Sequence, residues 1–400
     1  MAFNVEQIRS QFPSLNTGVA HFDSPGGTQT PVSVGKAIFD TITGPLSNRG
    51  TGSLSEKNAE RSVLEARAAA ADLLNADPLG IVFGRSMTQL TFDFARTLSQ
   101  NWKPGDEIVV SRLDHDGNVR PWVTYAQKTG ATLRWIDFDP ATGHLDVSDV
   151  EAVISEKTKV VALTAASNVL GSRPDLPAIS KVVHSVGALL YVDGVANTAH
   201  NPVDMESMGA DFYGCSPYKF FGPHIAFLGA KPELLETLHP DKLRPSTEVV
   251  PERFELGTLP YEFLAGITAA IDFMASMDPD ATGTRRQRLI TSLAASGAHE
   301  MALDHRLRAG LESMNNVTIY SNSKVKTPTQ FFNLDGIKPA RVYTELLKVD
   351  VHAPASNFYA IECCDHLGLG YEGAARAGMS PYNTAEEVDR LLNALADLKA

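Results

Sequence analysis

From residue 81 onward the chain alternates short apolar runs with amphipathic stretches. The runs at 81–83, 107–110, 132–136, 160–164, 189–192, 212–215 and 225–228 are strand-length, and the stretches at 88–98 and 121–128 carry apolar residues at helical spacing. Such alternation predicts an α/β domain whose mostly parallel sheet is covered by helices on both faces. Upstream, residues 4–12 read as a short amphipathic helix stopped by Pro13, and 56–74 as a long helix after a polar loop containing Arg49 and Ser53. Asp278-Pro279-Asp280 and Gly283 break the pattern. Beyond them a long helix is predicted over 285–311, strands over 318–320, 329–333 and 376–379, and helices over 339–348 and 384–398, the last opening on a Thr384 to Glu387 capping box. These elements make a smaller α+β unit, so a large domain over 16–280 and a small one from 1–15 and 281–400 are expected.

Composition narrows the partners. Of 400 residues, 43% are hydrophobic and 20% charged, ordinary for a globular chain. The net charge of −12, without a basic run, disfavours nucleic acid and anionic membranes. Cys215, Cys363 and Cys364 are too few for a disulfide framework and lack metal-ligand spacing. With no stretch of membrane-span length and no apolar core over 1–9, a cytoplasmic protein is expected.

In open parallel sheets ligands bind beyond the carboxyl ends of the strands, so the residues just past each run carry the candidate chemistry. After 81–83 come Ser86, Met87 and Thr88 at a helix start, where free N–H groups and the positive dipole end suit a phosphate, although Ser86 or Thr88 capping the helix explains them equally well. After 107–110 come Asp114, His115 and Asp116. The acidic neighbours are expected to hold His115 near its protonated form, able to shuttle protons or stack on a ring. Three successive ligand types diverge in direction, which disfavours a metal. Asn168 comes after 160–164 and closes a turn or meets a ligand, while Asp193 ends 189–192 and either caps the next segment or faces the site. Lys219 stands after Ser216 and Tyr218 and before Phe220 and Phe221, a setting that favours a neutral, nucleophilic amine. A lysine snorkelling from an apolar surface is the alternative. A lysine that forms a Schiff base and a carboxylate that faces a ring nitrogen are what pyridoxal phosphate requires. No dinucleotide glycine fingerprint, Walker loop or Gly-x-Ser-x-Gly turn competes with that assignment.

On these residues the chain resembles the fold-type I pyridoxal-phosphate enzymes of the class V aminotransferase group, and within it the cysteine desulfurase-like proteins. The resemblance runs from Phe22-Asp23-Ser24-Pro25-Gly26-Gly27 to Tyr382-Asn383-Thr384. It implies a seven-stranded, mostly parallel sheet in the large domain. Lys219 is by resemblance the cofactor's aldimine lysine, Asp193 the partner of its ring nitrogen and His115 the residue stacked on its ring. Asn168 lies by resemblance near the phenolic oxygen and the substrate carboxylate. Met87, Thr88, Ser216 and Tyr218 are placed at the phosphate, Gly257 and Thr258 at the phosphate of a neighbouring subunit in a homodimer, and Arg376 on the substrate's α-carboxylate.

The departures concern the reaction. Desulfurases carry a loop cysteine where this chain has Tyr359, in Pro354-Ala355-Ser356-Asn357-Phe358-Tyr359, and Cys363 and Cys364 read as packing residues of a helix. Pro217 and Tyr218 replace a usual glycine and histidine, and Ala196 a usual glutamine or histidine. The resemblance therefore implies an enzyme acting on a small amino acid through an external aldimine, of C–S lyase type without the loop cysteine. A class V aminotransferase and a non-catalytic cofactor-binding scaffold are the alternatives.

Overall fold

The computed structural model describes residues 3–399. The chain order of strands is β1 (Ala20–His21), β2 (Ile81–Gly84), β3 (Glu107–Ser111), β4 (Thr132–Ile136), β5 (Thr158–Thr164), β6 (Leu189–Asp193), β7 (Phe212–Cys215), β8 (Ala226–Ala230), β9 (Val317–Ile319), β10 (Thr329–Leu334), β11 (Val351–His352), β12 (Ala355–Ser356) and β13 (Ala374–Gly378). Seven of them form one sheet in the order β2-β8-β7-β6-β5-β3-β4. Only β8 runs antiparallel to its neighbours. The central strands β3, β5, β6, β7 and β8 are buried almost throughout, because helices cover both faces, and their sequences are correspondingly apolar instead of alternating. The edge strand β4 alternates exposed and half-buried residues.

A smaller four-stranded antiparallel sheet, β12-β13-β10-β9, packs with the helices Arg285–Glu312 and Ala385–Ala396. Thr384 caps the latter through the expected capping box. Among the helices with no counterpart in the predicted pattern are two of ten or more residues. Val32–Thr43 contains Gly35 and β-branched residues, and it leaves Val32, Phe39 and Ile42 exposed in the single chain. Leu176–Ser185 opens on Leu-Pro after an Asp175 cap.

The N-terminal segment contributes to two cores. Ile8, Phe12 and Leu15 bury in the main core, with Phe12 set edgewise on Phe221, Phe273 and Tyr382. Ala20 and Phe22 enter the smaller unit's core instead, because β1 pairs in parallel with β11. Pairing satisfies the backbone groups of this segment, which local sequence alone does not reveal. Among the described residues, no helix is long and apolar enough to cross a membrane, and no group of three His, Cys, Asp or Glu side chains is placed to hold a metal.

Candidate active site

Five parallel strands deliver their carboxyl ends to one edge of the large sheet, and a cavity of about 550 Å3 lies there. Thr88, His115, Asn168, Asp193, Ser216 and Lys219 all line it. Beyond β2, Ser86 caps the helix Met87–Ser99 by accepting the Gln89 N–H at 3.2 Å. The N–H groups of the first turn have no partner within the helix and lie at the cavity beside Thr88. The capping and anion-binding readings of Ser86 to Thr88 are therefore compatible.

β3 leads to Asp114 and His115. The expectation that acidic neighbours hold His115 protonated is not met. Asp114 turns inward, accepting from Asn118 Nδ2 at 2.7 Å, the Thr164 N–H at 3.1 Å and the Ser111 hydroxyl, and burial pushes its carboxyl up to about 8. Asp116 is engaged by Arg120 at 2.9 Å. What His115 meets is burial and the positive charges of Lys219 and Arg376, which push it down to about 3. Its Nδ1 accepts the Gly117 N–H at 2.9 Å, so the neutral ring carries its proton on Nε2. Gly117 is required at that position, since a Cβ would lie 2.9 Å from both His115 Nδ1 and Thr88 Oγ1.

β6 ends on Asp193, buried, with one carboxylate oxygen accepting from the Val195 N–H at 2.9 Å. Burial raises this carboxyl above its ordinary value, opposed by that hydrogen bond and by Lys219. β7 leads to the turn Pro217–Lys219, where Lys219 is buried beside the cavity. Burial chiefly, then the positive charge of Arg376, lowers its amine to about 8, while Asp193 and Asp23 pull the other way. Burial of the whole side chain excludes a lysine snorkelling from a surface, and the lowered amine is more readily neutral than an exposed one. Tyr218 stacks on His224, with ring centroids 4.8 Å apart, and packs beneath Gly27.

Arg376 comes from β13 in the smaller sheet, fully buried, and reaches across to this edge. Its Nη1 donates to the Asn168 carbonyl at 3.0 Å and its Nη2 to Asp23 Oδ1 at 2.5 Å, while Nε has no partner. The Phe358 ring lies over the guanidinium, 3.7 Å from Cζ. Asn168 donates to the Phe358 carbonyl at 2.9 Å and leaves its Oδ1 unpaired. Two buried polar atoms without protein partners in the same site are places for ligand atoms.

Gly257 and Thr258 are not brought to this cavity within one chain. Both are exposed, and Thr258 lines a separate cavity with Arg85 and His224. Their segment is fixed from behind by Glu255, which takes a bidentate Arg67 at 2.7 and 2.9 Å and the Phe83 N–H at 2.9 Å. Cys363 and Cys364 are buried in the helix Ile361–His366, and burial raises both thiols, Cys364 to about 12.

Sequence patterns assign no functional part to Asp23, Asp114 or Phe358. Asp23 lies in the segment 22–27 that carries the family resemblance, but its ion pair with Arg376 spans 353 positions, beyond any local pattern.

Residues 20–391 match the family model described as aminotransferase class-V. An uncharacterized protein of Mycobacterium tuberculosis is 33% identical over the full length of both chains. The aminotransferase-like protein FGM3 of Gibberella zeae is 32% identical over 98% of each, and a probable cysteine desulfurase of Staphylococcus aureus 31% identical over 100% of this chain and 97% of its own. Among solved structures, the cysteine desulfurase CsdA of Escherichia coli is 27% identical with a TM-score of 0.87, covering 99% of this chain and 98% of its own. The cysteine desulfurase of Thermococcus onnurineus is 28% identical with a TM-score of 0.88 over the same shares.

Proposed function

The chain belongs to the aminotransferase class-V family, whose members depend on pyridoxal phosphate, and from that premise we propose that it is a lyase of C–S type acting on a free α-amino acid without a loop thiol. The observation that carries this reading is the buried Lys219 amine, lowered to about 8, in a cavity that also holds Asp193 and a helix start. The residues present fit the cofactor: a nucleophilic amine, a carboxylate, free N–H groups and the unpaired Asn168 Oδ1 surround one space.

In this reading Lys219 holds the cofactor's aldehyde carbon, Asp193 its ring nitrogen, His115 its ring face, and Met87, Thr88, Ser216 and Tyr218 its phosphate. When bound, the cofactor supplies an electron sink for a carbanion at the substrate's α-carbon. Arg376 and Asn168 orient the substrate through its carboxylate, the Arg376 fork suiting a planar anion. Lys219 Nζ would accept the α-carbon proton and pass it to the departing sulfur. His115, neutral in its present setting, serves as a ring surface and a donor at Nε2, not as a charged acid.

Two observations support elimination without a protein persulfide. Tyr359 occupies the mouth of the site, and Cys363 and Cys364 are buried with raised thiols. A homodimer, with Gly257 and Thr258 completing the partner's phosphate site, is supported by the exposure of Val32, Phe39, Ile42 and Leu256. Sedimentation at micromolar concentration showing only monomer would remove the dimer.

Purified protein is expected to show a visible absorption band that borohydride bleaches, with the reduced adduct mapping to Lys219. A colourless protein, or a Lys219→Ala variant that retains the cofactor equally well, would sink the reading. Supplying amino acids one by one and assaying pyruvate, ammonia, sulfide and keto acids then separates elimination from transamination and from a silent scaffold.

A further inference from the structure

The cavity at Lys219 opens into a wider, solvent-open chamber, and part of its wall is a backbone segment in an uncommon conformation. Phe358 and Tyr359 are consecutive and both left-handed, with φ of 51° and 58°, a region that bulky side chains rarely enter. Hydrogen bonds hold the pair on several sides. The Asp116 N–H donates to the Tyr359 carbonyl at 2.7 Å, Asn168 to the Phe358 carbonyl at 2.9 Å, and the Tyr359 N–H to Asn357 Oδ1 at 3.0 Å.

The outcome of that arrangement is two aromatic rings aimed at the chamber. Phe358 lies over Arg376, its ring centroid 3.7 Å from Cζ, and Tyr359 faces His115 with centroids 5.7 Å apart and planes at 38°. Tyr359 is 70% exposed, so most of its ring has no protein neighbour. Phe92 adds a further ring to the lining. The chamber's cations, by contrast, are already matched. Arg120 is held by Asp116 at 2.9 Å and Glu362 at 3.4 Å, and Arg376 by Asp23. Lys219 is committed to the cofactor under the proposed function. Among the described residues lining the chamber, Arg376 is thus the cation that faces a substrate carboxylate, its Nε still unpaired, and several ring faces stand beside it.

We propose that Phe358 and Tyr359 select the substrate's side chain: the site takes a sulfur-bearing α-amino acid whose side chain ends in a planar aromatic group, lying against Tyr359 while its carboxylate meets Arg376. This rests on the proposed function. Phe358 acts by fixing the plane of the Arg376 fork, and Tyr359 by offering its free ring face.

The test uses the cofactor-loaded protein and reads Kd from the change in its visible absorption, with L-phenylalanine, L-cyclohexylalanine, L-alanine and L-aspartate as probes. L-Phenylalanine is expected to bind at least about 10-fold more tightly than L-alanine, and more tightly than L-cyclohexylalanine, which has the bulk without the ring face. Tyr359→Ala is expected to lower the phenylalanine-to-alanine preference roughly 3- to 10-fold, and Tyr359→Phe to restore it. Tyr359→Leu, which keeps side-chain bulk, should lose the preference as Tyr359→Ala does, separating loss of the ring from collapse of the turn. Alanine or aspartate binding as tightly as phenylalanine, cyclohexylalanine equalling it, or an unchanged ratio in Tyr359→Ala would each overturn the proposal. A protein that takes up no cofactor fails earlier, before any amino acid is added, and overturns the proposed function as well.

Discussion

Lys219 carries the most quantitative prediction, because burial sets its proton affinity and its chemistry together. At its ordinary value of 10.5 a lysine is neutral in roughly one molecule in three thousand at pH 7; at about 8, Lys219 is neutral in about one in eleven. Capture of the cofactor's aldehyde by the cofactor-free protein, measured as borohydride-reducible adduct on Lys219, should therefore rise about tenfold per pH unit up to pH 8 and flatten above it. Arg376→Gln should move the break upward, since it removes a cation facing Lys219 and leaves Asp23, which favours the charged amine, without its partner. Stability is linked to the same group. The folded state resists protonation of Lys219, so a penalty of about 3 kcal/mol is present below pH 8 and fades as pH rises to 10.5. Lys219→Met should accordingly stabilise the cofactor-free protein at pH 7 by up to about 3 kcal/mol in urea unfolding, and by almost nothing at pH 10.5. A capture rate that climbs steadily through pH 10, or a methionine variant less stable than wild type at pH 7, would refute the reasoning.

Two further outcomes are expected. Arg67→Met should cost about 3–5 kcal/mol in denaturant unfolding by leaving the Glu255 carboxylate buried without its partner, and Glu255→Gln added to it should recover part of the loss; an unaltered midpoint in the single variant would contradict the account of this pair. Cys363→Ala and Cys364→Ala should leave turnover of a C–S substrate within about twofold of wild type, and mass spectrometry after turnover should find no persulfide on either thiol, since both are buried with raised proton affinity; loss of sulfide release in either variant would count against elimination without a protein thiol.

The seven apolar runs, the helices between them and the residues after each strand can be read from the sequence, because a parallel sheet buried on both faces demands continuous apolar strands and places its ligand groups at their carboxyl ends. Lys219, Asp193, His115 and Asn168 are legible for that reason. The helix Val32–Thr43 is not, since Gly35 and its β-branched residues weaken the helical signal, and its apolar residues are split between a buried side at Val34 and an exposed one at Val32, Phe39 and Ile42. The protonation of His115 also escapes the sequence. Its neighbours Asp114 and Asp116 are acidic, yet the fold turns Asp114 into a buried hydrogen-bond cluster, gives Asp116 to Arg120, and brings up Lys219 and Arg376 from far along the chain. The same holds for Asp23 on Arg376 and for the left-handed pair Phe358 and Tyr359. Local sequence determined which elements form and which side chains stand at the sheet edge, because periodicity and turn chemistry act over a few residues. Tertiary structure alone decided the charge states and the ring faces of the site, because burial and Coulomb interactions depend on groups that only folding makes neighbours.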